Sequence, residues 1–306
     1  MLWGWLIKGR RASSRKDAWK TEPRDESGRW TILGESSTGP LRKESGVSLT
    51  GEEEIRARHY LKGRPDLVKV RINPDPDADL QGIGFDRKGK RVYLYTASHK
   101  TASAEEKFTR AKDFARVLPR LRREVKAAAP AGDEVASVVL LIDRTAFRVG
   151  STRDTQAEKQ AFGATTLQAQ HVRIEGDTVH FDFTGKKGVA QKHSIRSRDL
   201  ARVMTRQLAG KAPEDRLFSV SEMQVNKYLA RFGDFTAKDF RTYHASQLAR
   251  EQVEKLPAPA TPKAFQKLQK QVAVLVSQFL GNTPQIALKD YIDPTVFAPW
   301  EIMKGN

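Results

Sequence analysis

The chain has 306 residues, long for one compact domain and natural for two. Its 54 Lys and Arg against 37 Asp and Glu leave a net charge of +17, spread through folded-looking segments, which favours nucleic acid over an acidic membrane surface as partner. The absence of cysteine excludes disulfides, thiolate zinc sites and cysteine nucleophiles, and fits a reducing cytoplasm.

The opening apolar run, Met1 to Ile7, is too short to span a membrane, and its charges follow it instead of preceding it, which argues against a secretory signal. Residues 1–50 are rich in Arg, Lys, Ser, Gly and Glu without a sustained period and read as a flexible basic segment. A short helix is expected between Thr50 and Arg64, stopped by Gly63 and Pro65. Residues 66–96 read as strands and turns. Leu67 to Ile72 alternates and ends at Asn73-Pro74, and two further strands flank Arg87-Lys88-Gly89-Lys90, a hairpin with a basic tip. Residues 51–100 therefore form a small β-rich domain in this reading.

From Ser103 the period becomes helical, with Phe108, Ala111, Phe114, Ala115, Leu118 and Leu121 on one stripe. That switch places an interdomain hinge near residues 97–105. A second helix runs from about Asp133 to Phe147. Ala164 to Lys192 carries a three-strand pattern, turned at Glu175-Gly176-Asp177 and at Gly185-Lys186-Lys187-Gly188. Helical spacing then dominates at 198–208, 221–232, 237–254 and 262–280. The fold class expected is α+β: a small β-rich N-terminal domain and a mostly helical catalytic domain, 101–306, with a three-stranded antiparallel sheet.

Breaking a phosphodiester needs a nucleophile, positive charge on the nonbridging oxygens and a proton for the leaving oxygen. Tyr291 can be the nucleophile. Arg148 and Arg241 can supply charge, because a guanidinium fork matches two phosphate oxygens and stays protonated. Lys186, on a hairpin turn, can give a proton, and Asn282 offers a neutral donor. Each has a plainer reading as well. Arg241 could pair locally with Asp239, Lys186 and Lys187 could be a solvated turn, and Asn282 could cap a helix after Leu280-Gly281. His171, His193 and His244 read as structural or surface residues, and six histidines without a His-x-x-x-His pair give no metal site.

Six segments, in order, resemble the type IB DNA topoisomerases in the short form of poxviruses and bacteria. They are Gly84 to Tyr95; Phe147-Arg148-Val149-Gly150; Phe162-Gly163-Ala164-Thr165-Thr166-Leu167 with His171-Val172; Phe183-Thr184-Gly185-Lys186; Lys238-Asp239-Phe240-Arg241-Thr242; and Gly281-Asn282-Thr283-Pro284 through Tyr291. The resemblance covers about residues 65–297. It implies that Tyr291 forms a 3′-phosphotyrosyl bond, that Arg148 and Arg241 clamp the scissile phosphate, and that Lys186 protonates the 5′ oxygen. It implies that Asn282 stands where the poxvirus type has a histidine, and that Lys238 assists the leaving group. Lys88, Lys90, Arg91, Tyr93 and Tyr95 resemble the hairpin that tracks the DNA, and Thr166 and His171 also fall on matching DNA-contact positions. The implied protein is a DNA-associated monomer that relaxes supercoiled duplex DNA, with no cofactor, no metal and no obligate protein partner.

The family usually has a tyrosine six residues after the first arginine; here that position is Asp154, and the stretch to Gly163 is one residue longer. Two alternatives stay open. A tyrosine recombinase shares the catalytic logic but generally has histidine three residues before the second arginine, where this chain has Lys238. A noncatalytic DNA-binding relative is the other.

Overall fold

The computed structural model describes residues 32–43, 48–73, 75–155 and 160–301, with backbone alone at 153, 154 and 301. The chain divides into two compact units between Glu105 and Glu106. The architecture is α+β, as expected: one unit built on a sheet, the other largely helical.

The first unit holds a five-stranded antiparallel sheet in the order β2-β1-β3-β4-β5. Its strands are β1 (Ile32–Ser36), β2 (Leu41–Lys43), β3 (Val68–Ile72), β4 (Leu80–Phe85) and β5 (Arg91–Tyr95). β1 and β2 lie inside the segment read from sequence as flexible. Their periods are too short to register, yet β1 pairs along β3, Ile32 opposite Ile72 and Gly34 opposite Val70. Residues 1–31 lie outside the described residues. Helix α1 (Gly51–Leu61) starts on a reciprocal cap between Thr50 and Glu53. Its Ala57 and Leu61 pack with Ile32, Leu67, Val70, Ile72 and Leu94. A second cluster joins Leu80 and Ile83 to Leu33, Tyr93 and Tyr95. Strand alternation thus puts Leu94 and Tyr93 in different clusters.

The β4–β5 turn is set by Asp86, whose Oδ1 accepts from the Lys88 and Lys90 amides, each at 2.9 Å. Gly89 supplies the left-handed residue at φ +71°.

Helix α2 (Ala97–Ala128) begins earlier than the stripe from Ser103 indicated and runs through Pro119. In the second unit its Phe114, Leu118, Leu121 and Val125 enter the main core with α3 (Glu134–Thr145) and Val179, Phe181 and Phe183 of β7. A short helix, α4 (Thr152–Thr155), follows α3; the side chain of Asp154 lies outside the described residues. The second sheet is β6 (Val172–Glu175), β7 (Thr178–Thr184) and β8 (Ala190–Arg196), all antiparallel, with Phe183 opposite Gln191 and Phe181 opposite His193. The remaining helices are α5 (Arg198–Leu208), α6 (Glu222–Leu229), α7 (Ala237–Lys255), α8 (Pro262–Leu280), α9 (Pro284–Asp290) and α10 (Ala298–Glu301). A second core joins Ala245, Ala249 and Val253 of α7 to Val272, Val276 and Leu280 of α8 and to Tyr291, Ile292, Phe297 and Trp300. The tyrosine singled out by sequence is therefore packed into a hydrophobic cluster at the end of α9.

Candidate active site

Helix α3 ends at Ala146, a non-glycine residue in the left-handed conformation at φ 52°, whose amide closes on Ile142 O. Arg148 follows on a loop that packs backbone to backbone against the next turn. Ala164 N donates to Arg148 O at 2.8 Å and Thr165 N to Val149 O at 2.7 Å. The approach is so close that a Cβ on Gly163 would stand 2.6 Å from Arg148 O and from Gly150 Cα. Gly150 is held at φ +90°, so it needs glycine for conformation as well as for space. Two motifs distant in sequence are thus fused into the platform that presents Arg148.

Arg241 lies on the second turn of α7 and is only 3% exposed. Its guanidinium donates to the carbonyls of Ala146 and Leu280, the latter at 2.9 Å, which ties α7 to the ends of α3 and α8. Its Nε is buried with no hydrogen-bond partner among the described residues. Burial and the positive charge of Arg148 push its pKa down to about 10, against the pull of Tyr291. The local pair with Asp239 does not form. Asp239 instead accepts from Thr236 N at 2.7 Å and from Arg110 of α2 at 2.9 Å, capping α7.

Tyr291 closes α9, its amide on Ala287 O and its carbonyl accepting from Ser246 Oγ at 3.2 Å. Its side chain is 8% exposed and its ring centre is 5.1 Å from the Arg241 guanidinium carbon. Burial alone would raise the phenol pKa. The charges of Arg241, Arg148 and Lys238 outweigh it and hold the phenol below its ordinary value of 10.0. Lys238 is exposed, one helical turn before Arg241.

Gly281 caps α8 in the left-handed conformation, and Asn282 N donates to Ser277 O at 3.1 Å. The cap is therefore supplied by Gly281 and the Asn282 backbone, which leaves the side chain unspent. Both Asn282 Oδ1 and Nδ2 are buried with no partner among the described residues. Leaving two such atoms unpaired costs free energy, about 1–3 kcal/mol per group.

The other candidates are placed differently. Lys186 is exposed on the β7–β8 turn, where Lys187 and Gly188 take positive φ; no contact of its side chain with Tyr291 or the arginines is seen. Thr166 is buried, and its hydroxyl accepts from Gly163 N at 2.9 Å, so it braces the Arg148 platform. His171 is half-buried, accepts from Gln168 N and packs on Phe162; burial lowers its pKa. In the first unit, Lys88, Lys90 and Arg91 are exposed on the β4–β5 hairpin, Arg91 lies over Phe85, and Tyr93 and Tyr95 stack at 6.4 Å.

Two residues near the site escaped the sequence reading. His193, taken as structural, packs edge-on to Phe147 and has its pKa lowered by burial and then by Arg241. Gln191, on the same face of β8, reaches Gly281. Only strand alternation after Gly188 signalled either one. Among the described residues no cluster of three or more His, Asp or Glu side chains could hold a metal ion, and no helix is long and apolar enough to cross a membrane.

Residues 96–290 match the family described as eukaryotic DNA topoisomerase I, catalytic core. The chain is 27% identical over 264 residues to DNA topoisomerase 1B of Acanthamoeba polyphaga mimivirus, covering 78% of both chains. It is 26% identical over 228 residues to DNA topoisomerase I of Monkeypox virus, covering 70% of both. Against DNA topoisomerase 1 of Mycosarcoma maydis it is 28% identical over 192 residues, 52% of this chain and 19% of the other.

Proposed function

The chain belongs to the type IB DNA topoisomerase family, and on that premise we propose that it relaxes supercoiled duplex DNA by cutting and resealing one strand through Tyr291. The observation that carries this reading is the buried Tyr291 phenol beside Arg241, its proton loosened by three nearby positive charges. A phenol so placed ionises more readily, and the same cations can then meet the charge that develops on a phosphate.

In the proposed cycle, scissile phosphate oxygens are held by Arg148, Arg241 and the free Asn282 amide. The Tyr291 oxygen bonds to phosphorus as the bond from phosphorus to the 5′ oxygen breaks. The phenolic proton passes to water, and Lys186 gives a proton to the departing 5′ oxygen, with Lys238 assisting. One phosphodiester is exchanged for one 3′-phosphotyrosyl ester, so the bond energy is kept and neither ATP nor a metal ion is required. Torsional strain turns the cut strand, and the 5′ hydroxyl then attacks the ester to reseal it. The basic hairpin of Lys88, Lys90 and Arg91, with Tyr93 and Tyr95, holds the duplex, and the protein works as a DNA-associated monomer. Thr166 supports the phosphate clamp through its bond to Gly163, and His171, on the next turn, Ala169–His171, is the further DNA contact in this reading.

Plasmid relaxation in chelator without nucleotide, paired with covalent capture on duplex DNA, tests this. Wild-type protein is expected to relax stepwise. Tyr291→Phe is expected to lose relaxation and capture while keeping duplex binding. Capture that survives Tyr291→Phe sinks the proposal, and strand exchange at one site without general relaxation would favour the recombinase instead.

A further inference from the structure

Gln191 lies on β8 opposite Phe183 and is 6% exposed. Its side chain sits between two glycines that belong to different parts of the site. A Cβ on Gly185 would stand 3.0 Å from Gln191 Cγ and 3.4 Å from Cδ. A Cβ on Gly281 would stand 2.1 Å from Gln191 Oε1, 2.2 Å from Nε2 and 2.5 Å from Cδ. Gly185 immediately precedes Lys186, and Gly281 immediately precedes Asn282.

The two glycines serve this side chain for different reasons. Gly281 is left-handed at φ +59°, so glycine suits it as a helix cap in any case. Gly185 has φ −91° and ψ −173°, a conformation open to every residue. There the missing side chain leaves room for Gln191 and for the backbone of the turn, since the same Cβ would stand 3.3 Å from Val189 O. Among the described residues the amide makes a long bond, Nε2 to Ala190 O at 3.3 Å. Shape therefore constrains it more than hydrogen bonding. Interiors are close-packed, so a filled wedge of this kind transmits position from one loop to the other.

We propose that Gln191 is a positioning residue, a spacer that sets the Lys186 turn against the Asn282 loop so that proton donor and phosphate contact address one phosphodiester. This rests on the roles proposed above for Lys186 and Asn282.

The test compares single-turnover covalent attachment to two duplexes, one with the ordinary 5′ oxygen at the cleavage position and one with sulfur there. A thiolate leaves without a proton, so the sulfur duplex bypasses the acid. Gln191→Ala is expected to slow attachment to the oxygen duplex at least tenfold with duplex affinity unchanged. It is expected to slow the sulfur duplex less, as Lys186→Ala should. Gln191→Met, unbranched and of similar length, should restore most of the rate because it refills the space. If Gln191→Ala does not fold, Gln191→Asn, one methylene shorter, takes its place. A wild-type rate in Gln191→Ala, equal slowing on both duplexes, or a Met variant no faster than the Ala variant each overturns the inference. If Lys186→Ala shows sulfur rescue and Gln191→Ala does not, Lys186 keeps its role and only the spacer fails. If Lys186→Ala shows none, the Lys186 assignment falls and the inference with it.

Discussion

The guanidinium carbon of Arg241 lies 5.1 Å from the centre of the Tyr291 ring, inside a hydrophobic cluster that includes Leu280, Ile292 and Trp300. Each group alone would resist ionisation in that setting. Together the cation loosens the phenolic proton and the phenol relieves the buried cation.

This relationship has a pH signature. Attachment of Tyr291 to DNA should rise with pH, with a midpoint below the ordinary phenol value of 10.0. Arg241→Ala removes the largest charge that lowers the phenol pKa, so the midpoint should move upward. It should also raise the barrier by about 3 kcal/mol or more, roughly a hundredfold in rate. Single-turnover rates across pH check both, and an unmoved midpoint would separate Arg241 from the phenol.

His193 should impose an acid limit on stability. Its folded pKa is below the unfolded value of 6.5, so the unfolded chain binds the proton more readily. The contribution of neutral His193 is present above pH 6.5 and is lost as pH falls from there through the folded value. His193→Asn should flatten this limb of the denaturation curve. A wild-type slope between pH 7 and 5 in the variant would assign the limb to other groups.

Gly163 is constrained by space alone, since its φ of −157° suits any residue. Gly163→Ala would force a Cβ to 2.6 Å from Arg148 O. The substitution should cost about 1–3 kcal/mol of stability and lower the cleavage rate by displacing Arg148. Urea unfolding and cleavage kinetics would read the two effects separately.

Asp143 is buried between Arg122, which it meets at 2.9 and 2.8 Å, and His244 at 3.3 Å. This joins α2, α3 and α7 behind the site. Asp143→Asn leaves Arg122 half-paired but partly open to water, so the loss should fall between that of a surface and a buried pair, about 2 kcal/mol. Thermal unfolding checks it, and no loss would mean the pair only balances its own desolvation.

Duplex binding should weaken with salt at about −0.9 in logarithmic slope per neutralised phosphate. Lys88→Ala and Lys90→Ala should each reduce the slope by about 1 if the hairpin meets phosphates. Titrations at several salt concentrations distinguish this from a hairpin that never touches the backbone.

Much of the fold was legible because its periods are long and clean. The helices at 198–208 and 262–280 match the structure to the residue, and both hairpins announce themselves through glycine and polar turns flanked by alternation. β1 and β2 were not legible, because five and three residues hold too little pattern and exist as strands only by pairing with β3 and with each other.

The order of motifs along the chain was enough to identify the family and its α+β class, since those depend on residue type and spacing, and the same motifs supplied the side chains proposed above to attack and clamp a phosphodiester. Folding decided which of these groups meet. Arg241 and Tyr291 are fifty positions apart, and their mutual pKa changes exist only because α7 and α9 bury them in one core. Likewise Asp239 went to Arg110 instead of Arg241, Thr166 to Gly163, and Gln191 to the gap between two glycines. Burial and long-range contact are properties of the packed chain, and a local pattern cannot carry them.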